Sequence, residues 1–236
     1  MNEFVFLSLE NVDDILTFSR MCKKGNEIYK KWKDEWYAIH TQIIEDVDEE
    51  GDKRETKIIG NRKYVTVWWK NGNKSYEGEY KNEKKEGKYI EWYGNGNKCY
   101  EGEYKDGKEE GKWIGWHENG NKKEEEEYKD GKKEGKWIEW YENGNKESEG
   151  EYKNGKAEGK WIEWYEGGNK KYKEEYKNGK AEGKWIGWDN DGTPQYEREF
   201  KDGKLEGKWI EWDMNGTLRC ECEYKNGKQE GKWIEW

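Results

Sequence analysis

Side chains that could act in catalysis are scarce in this chain of 236 residues. His40 and His117 are the only histidines. Adjacent carboxylates, as at Glu124–Glu127, are expected by chance among 54 acidic residues, and no glycine-rich phosphate loop is present. The chain has four serines, none of them in a nucleophile-elbow pattern: Ser8, Ser19, Ser75 and Ser148. The sequence therefore predicts no enzyme activity, no catalytic residue and no cofactor.

The cysteines are the remaining candidates for chemistry. There are four of them, at Cys22, Cys99, Cys220 and Cys222. None forms a CxxC pair, and no even framework runs across the chain, so we expect neither a metal site nor a disulfide scaffold. Free thiols are typical of a reducing compartment, which predicts a cytoplasmic location.

The composition combines low apolar content with many aromatic rings. Only 31% of the residues are hydrophobic and 42% are charged, yet 17 Trp and 17 Tyr are present, and disordered chains are poor in aromatics. The net charge is −9 without a basic stripe, so no nucleic-acid partner is expected. The apolar stretch at residues 4–9 is too short for a membrane span or a signal peptide.

A period of 24 residues organises the chain from residue 63 onwards. With 63–86 as the first unit, seven units reach residue 230, and the phrase GKWIEW follows at 231–236. A glycine opens this phrase or a close variant at seven positions: Gly87, Gly111, Gly135, Gly159, Gly183, Gly207 and Gly231. Such regularity is typical of repeat architectures.

Two turn signals divide each unit into two strands. Asn-Gly occurs at residues 95–96 and 143–144, and Asp-Gly or Asn-Gly at residues 106–107 and 154–155. These dipeptides favour type I′ hairpin turns, which need positive φ at both central residues. Frequent glycine excludes long helices, whereas Trp, Tyr and Ile favour strands. We predict an all-β repeat, an elongated single-layer antiparallel β-hairpin meander.

Alternation along the strands predicts which side chains share a face. In the first strand of a unit, Ile114 and Trp116 point to one face and Trp113 to the other. In the second strand of a unit, Tyr100 and Tyr104 share a face. We assign the Ile, second-Trp and Tyr columns to the core face. The column after the second Trp varies, so we expect it in solvent: Trp69, Tyr93, His117, Tyr141, Tyr165, Asp189 and Asp213.

A lysine column runs through the repeats at Lys88, Lys112, Lys136, Lys160, Lys184, Lys208 and Lys232. Two glutamate columns, from Glu79 to Glu223 and from Glu86 to Glu230, have the same period. We expect the lysines to pair with these two columns in a ladder of exposed ion pairs. Each such pair contributes only ~0.2–1 kcal/mol, enough to favour a register.

Phrases such as GKWIEWYENGNK and EGEYKNGKAEGKWIEWY resemble the MORN repeat family, in particular its longer variant with Trp after Gly-Lys. The resemblance covers about residues 63–236. It implies a ribbon of hairpins that is not itself a catalyst. It also implies protein contacts and scaffolding, and in some members attachment to acidic phospholipid. Acidic residues outnumber basic ones here, 54 to 45, so a lipid partner is not expected.

The aromatic columns are the predicted interaction surface of a scaffold for protein–protein contacts. The last strand is expected to be an edge strand with unpaired backbone groups, at which a second copy could pair. The candidate partner-binding residues are Trp113, Trp137, Trp161, Trp185, Trp209, Trp233 and Trp236. Their partner is expected to be a protein.

Residues 1–45 lack the period and carry helix signals. A first helix is expected over 15–24 and a second over 27–39. We predict a small helical module over 1–45 that caps the first hairpin. An acidic linker is predicted to follow over residues 46–62.

The phrase DDILTFSRMCKKGNEIYKKWKDEWY, at residues 13–37, resembles the later part of an F-box. This resemblance implies an alternative function, a substrate adaptor that recruits a ubiquitin ligase while the repeats hold the client. Its adaptor-facing residues would be Leu16, Phe18, Met21 and Trp36. F-box-like segments joined to repeats are similar to proteins of large DNA viruses of amoebae, which implies a third function as a structural or packaged virion component.

Overall fold

The computed structural model describes residues 41–235, and all regular structure in this range is β-strand. The chain divides into two compact units after Lys108. The predicted helices over 15–24 and 27–39 lie outside the described residues. The prediction of an antiparallel, single-layer hairpin fold is confirmed within each unit.

The first unit is an antiparallel sheet in which each strand pairs with the next along the chain. Its buried side chains include Thr56 and Ile59 in the second strand, Val65 in the third and Ile90 in the fifth. The strands are β1 (Thr41–Val47), β2 (Lys53–Ile59), β3 (Arg62–Trp68), β4 (Lys74–Lys81), β5 (Lys84–Trp92) and β6 (Lys98–Lys105).

The second unit repeats the same antiparallel meander. Its core includes Trp113, Ile138, Cys220 and Cys222. The strands are β7 (Lys108–Trp116), β8 (Lys122–Lys129), β9 (Lys132–Lys133), β10 (Gly135–Trp140), β11 (Lys146–Lys153), β12 (Lys156–Trp164), β13 (Lys170–Lys177), β14 (Lys180–Ala181), β15 (Gly183–Trp188), β16 (Pro194–Lys201), β17 (Lys204–Trp212), β18 (Leu218–Lys225) and β19 (Lys228–Glu235).

The two turns of each repeat differ in geometry. At the short turn, Asn154 and Gly155 have φ of 52° and 76°, as the predicted type I′ turn requires. The second Asn-Gly lies in a longer loop. There, the amide of Tyr141 donates to the carbonyl of Asn145, and the amide of Gly144 donates to the carbonyl of Tyr141, both at 2.9 Å. The prediction of a type I′ turn is therefore correct for residues 154–155 and wrong for residues 143–144.

A bulge beside the longer loop keeps the two strands of the hairpin in register. The ladder pairs Glu139 with Ser148 but Trp140 with Lys146, so Glu147 is an extra residue. The loop at residues 141–145 has an odd number of residues, and the extra residue restores the register that a two-residue turn at residues 143–144 would give. The same bulge recurs in the hairpins formed by β5–β6, β12–β13, β15–β16 and β17–β18.

The predicted face assignment is correct for the Ile column and the two Trp columns, and wrong for the Tyr columns. Trp137 lies opposite Gly150, whereas Ile138 lies opposite Glu149. Tyr152 is two residues after Gly150 on the same strand, so it shares the face of Trp137. Residues directly opposite in an antiparallel pair share a face. The first Trp column and the Tyr columns form one surface, the Trp/Tyr face. The Ile, second-Trp and Lys columns form the other, the Ile/Lys face.

Residues 46–62 are a hairpin region rather than the predicted linker, and residues 41–45 are strand rather than helix. The strands β1 and β2 pair along their whole length, from Thr41 opposite Ile59 onwards. The acidic residues concentrate in the loop between them. There, the Asp48 carboxylate accepts a hydrogen bond from the amide of Asp52 at 2.9 Å, so the acidic residues belong to a tight turn.

Candidate functional site

The Trp/Tyr face of the second unit carries a row of aromatic rings in mutual contact. The ring centroids of Trp137 and Trp161 are 5.2 Å apart, and Tyr152 meets Trp161 edge-on at 5.1 Å. Further along, Tyr176 lies 5.2 Å from Trp185, which lies 4.7 Å from a phenylalanine. Edge-on and tilted pairs at these distances stabilise aromatic clusters beyond the area they bury. The row is thus a rigid surface.

The candidate tryptophans differ in how far they reach solvent. Trp113 is only 1% exposed and is part of the core, so the prediction that it contacts a partner does not hold in this structure. Trp233 on β19 is 41% exposed. Trp236 lies outside the described residues. The others are half-buried: Trp137, Trp161, Trp185 and Trp209.

One strand-two column on the Trp/Tyr face was missed by the sequence reasoning. It lies directly opposite the first Trp column, as at Trp137 and Gly150. The signal in the sequence is its variation among otherwise constant neighbours. In the second unit its members are Glu126, Gly150, Glu174, Arg198 and Cys222. Successive repeats therefore have a carboxylate, no side chain, a carboxylate, a guanidinium or a thiol among their rings.

Glu126 is the most buried polar member of this column, at 5% exposure. Its Oε1 accepts hydrogen bonds from Lys133 Nζ at 2.5 Å and Trp137 Nε1 at 2.9 Å, and its Oε2 accepts one from the Tyr128 hydroxyl at 2.6 Å. Burial raises the pKa of this carboxyl, but the hydrogen bonds outweigh burial and hold the pKa below its usual value. The carboxylate is therefore held ionised inside the aromatic row.

Arg198 occupies the same column two repeats after Gly150. Its guanidinium carbon lies 4.2 Å from the ring centroid of Tyr196 and 4.1 Å from that of Trp209. Glu211 completes the group, since it accepts hydrogen bonds from Arg198 at 3.4 Å and from Trp209 Nε1 at 3.0 Å. An arginine stacked between aromatic rings is typical of protein-recognition surfaces.

The two cysteines of β18 are buried thiols. Cys220 and Cys222 are 1% and 3% exposed, and burial raises the pKa of both. With Cys99, they are free. Within residues 41–235, no three His, Cys, Asp or Glu side chains are grouped as metal ligands would be.

Several rings of the column that was expected in solvent join successive repeats, whereas Trp69 and Asp213 are exposed as expected. The Tyr141 hydroxyl donates to the carbonyl of Trp164 at 2.8 Å, and the Tyr165 hydroxyl donates to that of Trp188 at 3.0 Å. His117 replaces tyrosine in the same role, with Nε2 2.7 Å from a tryptophan carbonyl 23 residues later. Each of these side chains therefore crosses to the next repeat.

We expect Tyr141→Phe to lower the free energy of unfolding by about 1 kcal/mol, because the Trp164 carbonyl loses its donor while the ring remains. Tyr172→Phe is the matched control. Tyr172 stacks on Tyr196 at 6.4 Å and makes no hydrogen bond through its hydroxyl within the described part of the chain. Urea unfolding of both variants measures the difference, and equal stability would contradict a role for the inter-repeat bond.

The lysine column pairs with a different glutamate column from the two predicted. Lys112 Nζ lies 2.7 Å from Glu125, which belongs to the column that starts at Glu77. The column of Glu86 caps turns instead, as Glu134 does by accepting the amide of Asn154 at 2.7 Å. Side-chain capping of a turn amide satisfies a donor that strand pairing leaves free. The predicted partners were therefore wrong, although an ion-pair ladder exists.

No helix within residues 41–235 is long and apolar enough to span a lipid bilayer. The structure thus offers no helical membrane segment in the part of the chain that it describes.

Comparison with known families gives a match to the repeats. The family described as MORN repeat variant matches residues 85–106, 109–130, 133–154, 157–178, 181–202 and 205–226, more than half of the chain. No curated protein matches the chain. The match does not include residues 13–37, where the F-box-like phrase stays a prediction. Six tandem matches in phase with the observed hairpins show that the chain belongs to the MORN repeat family, in its variant form.

Proposed function

We propose that this chain is a non-catalytic scaffold that binds another protein through the Trp/Tyr face. The row of half-buried tryptophans in the second unit carries the proposal. Rigid Trp rings with Tyr and Arg beside them supply most of the binding energy at protein interfaces. MORN repeats are in general interaction modules for proteins or membranes, and the chain shares that general role.

Two features favour a protein partner over other ligands. The net charge of −9 opposes binding to the phosphates of nucleic acid or acidic lipid. The variable column puts a carboxylate, a glycine, an arginine and a thiol among the rings of successive repeats, as at Glu126, Gly150, Arg198 and Cys222. A partner with complementary groups at the same spacing would be distinguished from others by these residues.

The proposal is tested by affinity capture from the native source with the full chain, followed by mass spectrometry. Trp233→Ala is the informative variant, since Trp233 is 41% exposed on β19. Loss of an interface tryptophan typically costs ≥ 2 kcal/mol, so we expect about thirtyfold weaker binding of the captured protein. Trp69→Ala is the matched control, because Trp69 is 38% exposed but lies in the first unit.

Circular dichroism should show both variants folded. Capture of the same proteins in the same amounts by Trp233→Ala and by the unaltered chain would contradict a role for this end of the face. Capture of no specific protein by the unaltered chain would remove the scaffold proposal.

Self-association is a related part of the proposal. Trp233 and Ile234 on β19 are 41% and 47% exposed, and in the described residues β19 pairs with β18 alone. An exposed edge strand can pair with a second copy. Sedimentation of the unaltered chain and of Trp233→Ala distinguishes this partner, because only self-association would raise the mass of the purified protein.

The F-box-type adaptor and the virion component are narrower proposals that rest on sequence resemblance over residues 13–37. The adaptor proposal predicts that the full chain binds a ubiquitin-ligase adaptor subunit and that Trp36→Ala weakens this binding. Mass spectrometry of purified particles would test the virion proposal.

A further inference from the structure

One residue interrupts the ion-pair ladder of the Ile/Lys face. The column that starts at Glu77 is glutamate in every repeat except one, in which Lys173 stands. All of the glutamates form ion pairs with lysine. They are Glu77, Glu101, Glu125, Glu149, Glu197 and Glu221. Lys173 is therefore a charge reversal at a position where the structure uses a carboxylate.

Glu125 shows what the carboxylate does in an unaltered repeat. It accepts Lys112 at 2.7 Å from the preceding strand and Lys122 at 2.8 Å from its own strand, three residues earlier. The two ammonium groups converge on one carboxylate, which neutralises part of their charge. The distances define an anion position between two strands.

The repeat that contains Lys173 has lysines at the positions equivalent to Lys112 and Lys122 but no glutamate at the position equivalent to Glu125. Lys160 and Lys170 are 13 and 3 residues before Lys173, as Lys112 and Lys122 are before Glu125. None of these three lysines forms an ion pair within residues 41–235. The carboxylate of Glu175, opposite Lys160 in the ladder, lies over Gly183 instead. The two lysine positions that converge on Glu125 in its repeat are thus kept here, with Lys173 in place of the carboxylate.

The surroundings of Lys173 favour a small ligand group with apolar flanks. Lys173 is half-buried and lies opposite Ile162 on β12 and Ile186 on β15. Beside Lys160, an open depression of about 340 Å³ is lined by Lys136, Glu149, Gly150, Glu151 and Lys160. Its two glutamates would repel a carboxylate, so an acidic ligand approaches Lys160 from the side of Lys170 and Lys173.

We propose that Lys160, Lys170 and Lys173 bind a glutamate or aspartate of an acidic segment in a partner protein. The ligand carboxylate takes the place that Glu125 occupies in its own repeat. The inference rests on the proposed scaffold role in requiring a protein partner, but it uses the opposite face of the sheet. It assigns a specificity site to one repeat alone.

The width of the site argues for a peptide carboxylate rather than an extended polyanion. Glu149 and Glu197 occupy the same column in the repeats before and after Lys173. Strands lie ~4.8 Å apart, so each acid is about 10 Å away along the ribbon. A nucleic-acid backbone or an anionic membrane surface would meet both acids, whereas a peptide along the strand direction would meet neither.

The test measures binding of a fluorescein-labelled, Glu-rich peptide to the full chain by fluorescence anisotropy. A peptide with Gln in place of Glu is the neutral control. We expect Lys173→Glu to weaken binding about tenfold, since it removes one contact and restores an internal partner for two lysines. Glu125→Lys recreates the lysine cluster in another repeat, and we expect it to raise the number of bound peptides from one to two.

Equal affinity of Lys173→Glu and the unaltered chain for the peptide would overturn the proposal, as would an absence of peptide binding. Binding of anionic phospholipid vesicles that is lost in Lys173→Glu, without peptide binding, would assign the site to a membrane and also overturn it. The scaffold proposal is judged separately, because Trp233→Ala leaves this cluster intact and alters only the Trp/Tyr face.

Discussion

Replacing Gly150 by alanine is expected to lower the free energy of unfolding by about 3 kcal/mol, near the top of the range for an overpacked core position. An added Cβ would lie 2.2 Å from Cδ2 and 2.3 Å from Cε2 of Trp161. The indole cannot move aside freely, because it contacts Trp137 at 5.2 Å and Tyr152 at 5.1 Å. Relief of the overlap would disturb the aromatic row.

Gly167→Ala provides a matched control for the same chemical change. Gly167 is exposed in a loop of the same unit, and no atom lies within 4 Å of the position that its Cβ would take. We expect its stability to change by less than about 0.5 kcal/mol. Urea unfolding followed by tryptophan fluorescence compares the two variants. Similar stability of both would show that Trp161 does not pack over Gly150.

The sequence was sufficient to predict the hairpins because period and turn chemistry agree. Asn154 and Gly155 show why: an Asn-Gly pair favours positive φ, and the structure has 52° and 76° there. The rigid interval of 24 residues then repeats the turn along the chain. The family match over residues 85–226 follows the same period.

The choice of face was not predictable from alternation alone. Glu147 is the extra residue of a bulge, and nothing in its type distinguishes it from a paired residue. The bulge alters only the pairing of Trp140 with Lys146, and the rest of the ladder has the register of a hairpin centred on residues 143 and 144. Alternation within each strand does not relate the two strands, whereas counting across this turn signal places the Tyr column on the side of Trp137.

Contacts between repeats were the other feature that the sequence did not reveal. A column that varies from tyrosine to histidine looks like a solvent position, yet Tyr141 and His117 donate to carbonyl groups 23 residues away. Both side chains carry an N–H or O–H at the end of a ring, which is the property that the site requires. Asp189 and Asp213 in the same column instead accept amides within their own loops, so the variation of the column did not by itself identify the bonds between repeats.

Glu126→Gln is expected to destabilise the protein by about 2 kcal/mol at neutral pH, because hydrogen bonds to charged groups contribute ~1.5–3 kcal/mol each. The carboxylate is 5% exposed and accepts bonds from Lys133 and Tyr128 on different oxygens, whereas the neutral amide has only one acceptor oxygen and cannot accept both in this way. Lys133, with a third of its side chain exposed, regains part of its hydration, which limits the loss.

Glu174→Gln in the same column is the matched variant, and we expect it to raise the free energy of unfolding rather than lower it. Burial raises the pKa of Glu174, and the hydrogen bond from Tyr176 offsets only part of this effect. An acid whose pKa is higher in the folded state favours the protonated, folded form, so its ionisation at neutral pH destabilises the fold. The neutral amide removes this penalty, and the free energy of unfolding should rise.

The pH dependence of the two variants separates charge from packing. The pKa of Glu126 is lowered on folding, so its contribution is present above the unfolded value of ~4.3 and is lost as the pH falls through the folded value. The Glu174 penalty grows as the pH rises from ~4.3 through its raised folded value. Urea unfolding between neutral and acidic pH should therefore show the Glu174→Gln difference disappearing near pH ~4 and the Glu126→Gln difference disappearing only at lower pH. A loss in Glu126→Gln that is independent of pH would show that the cluster acts through shape rather than charge.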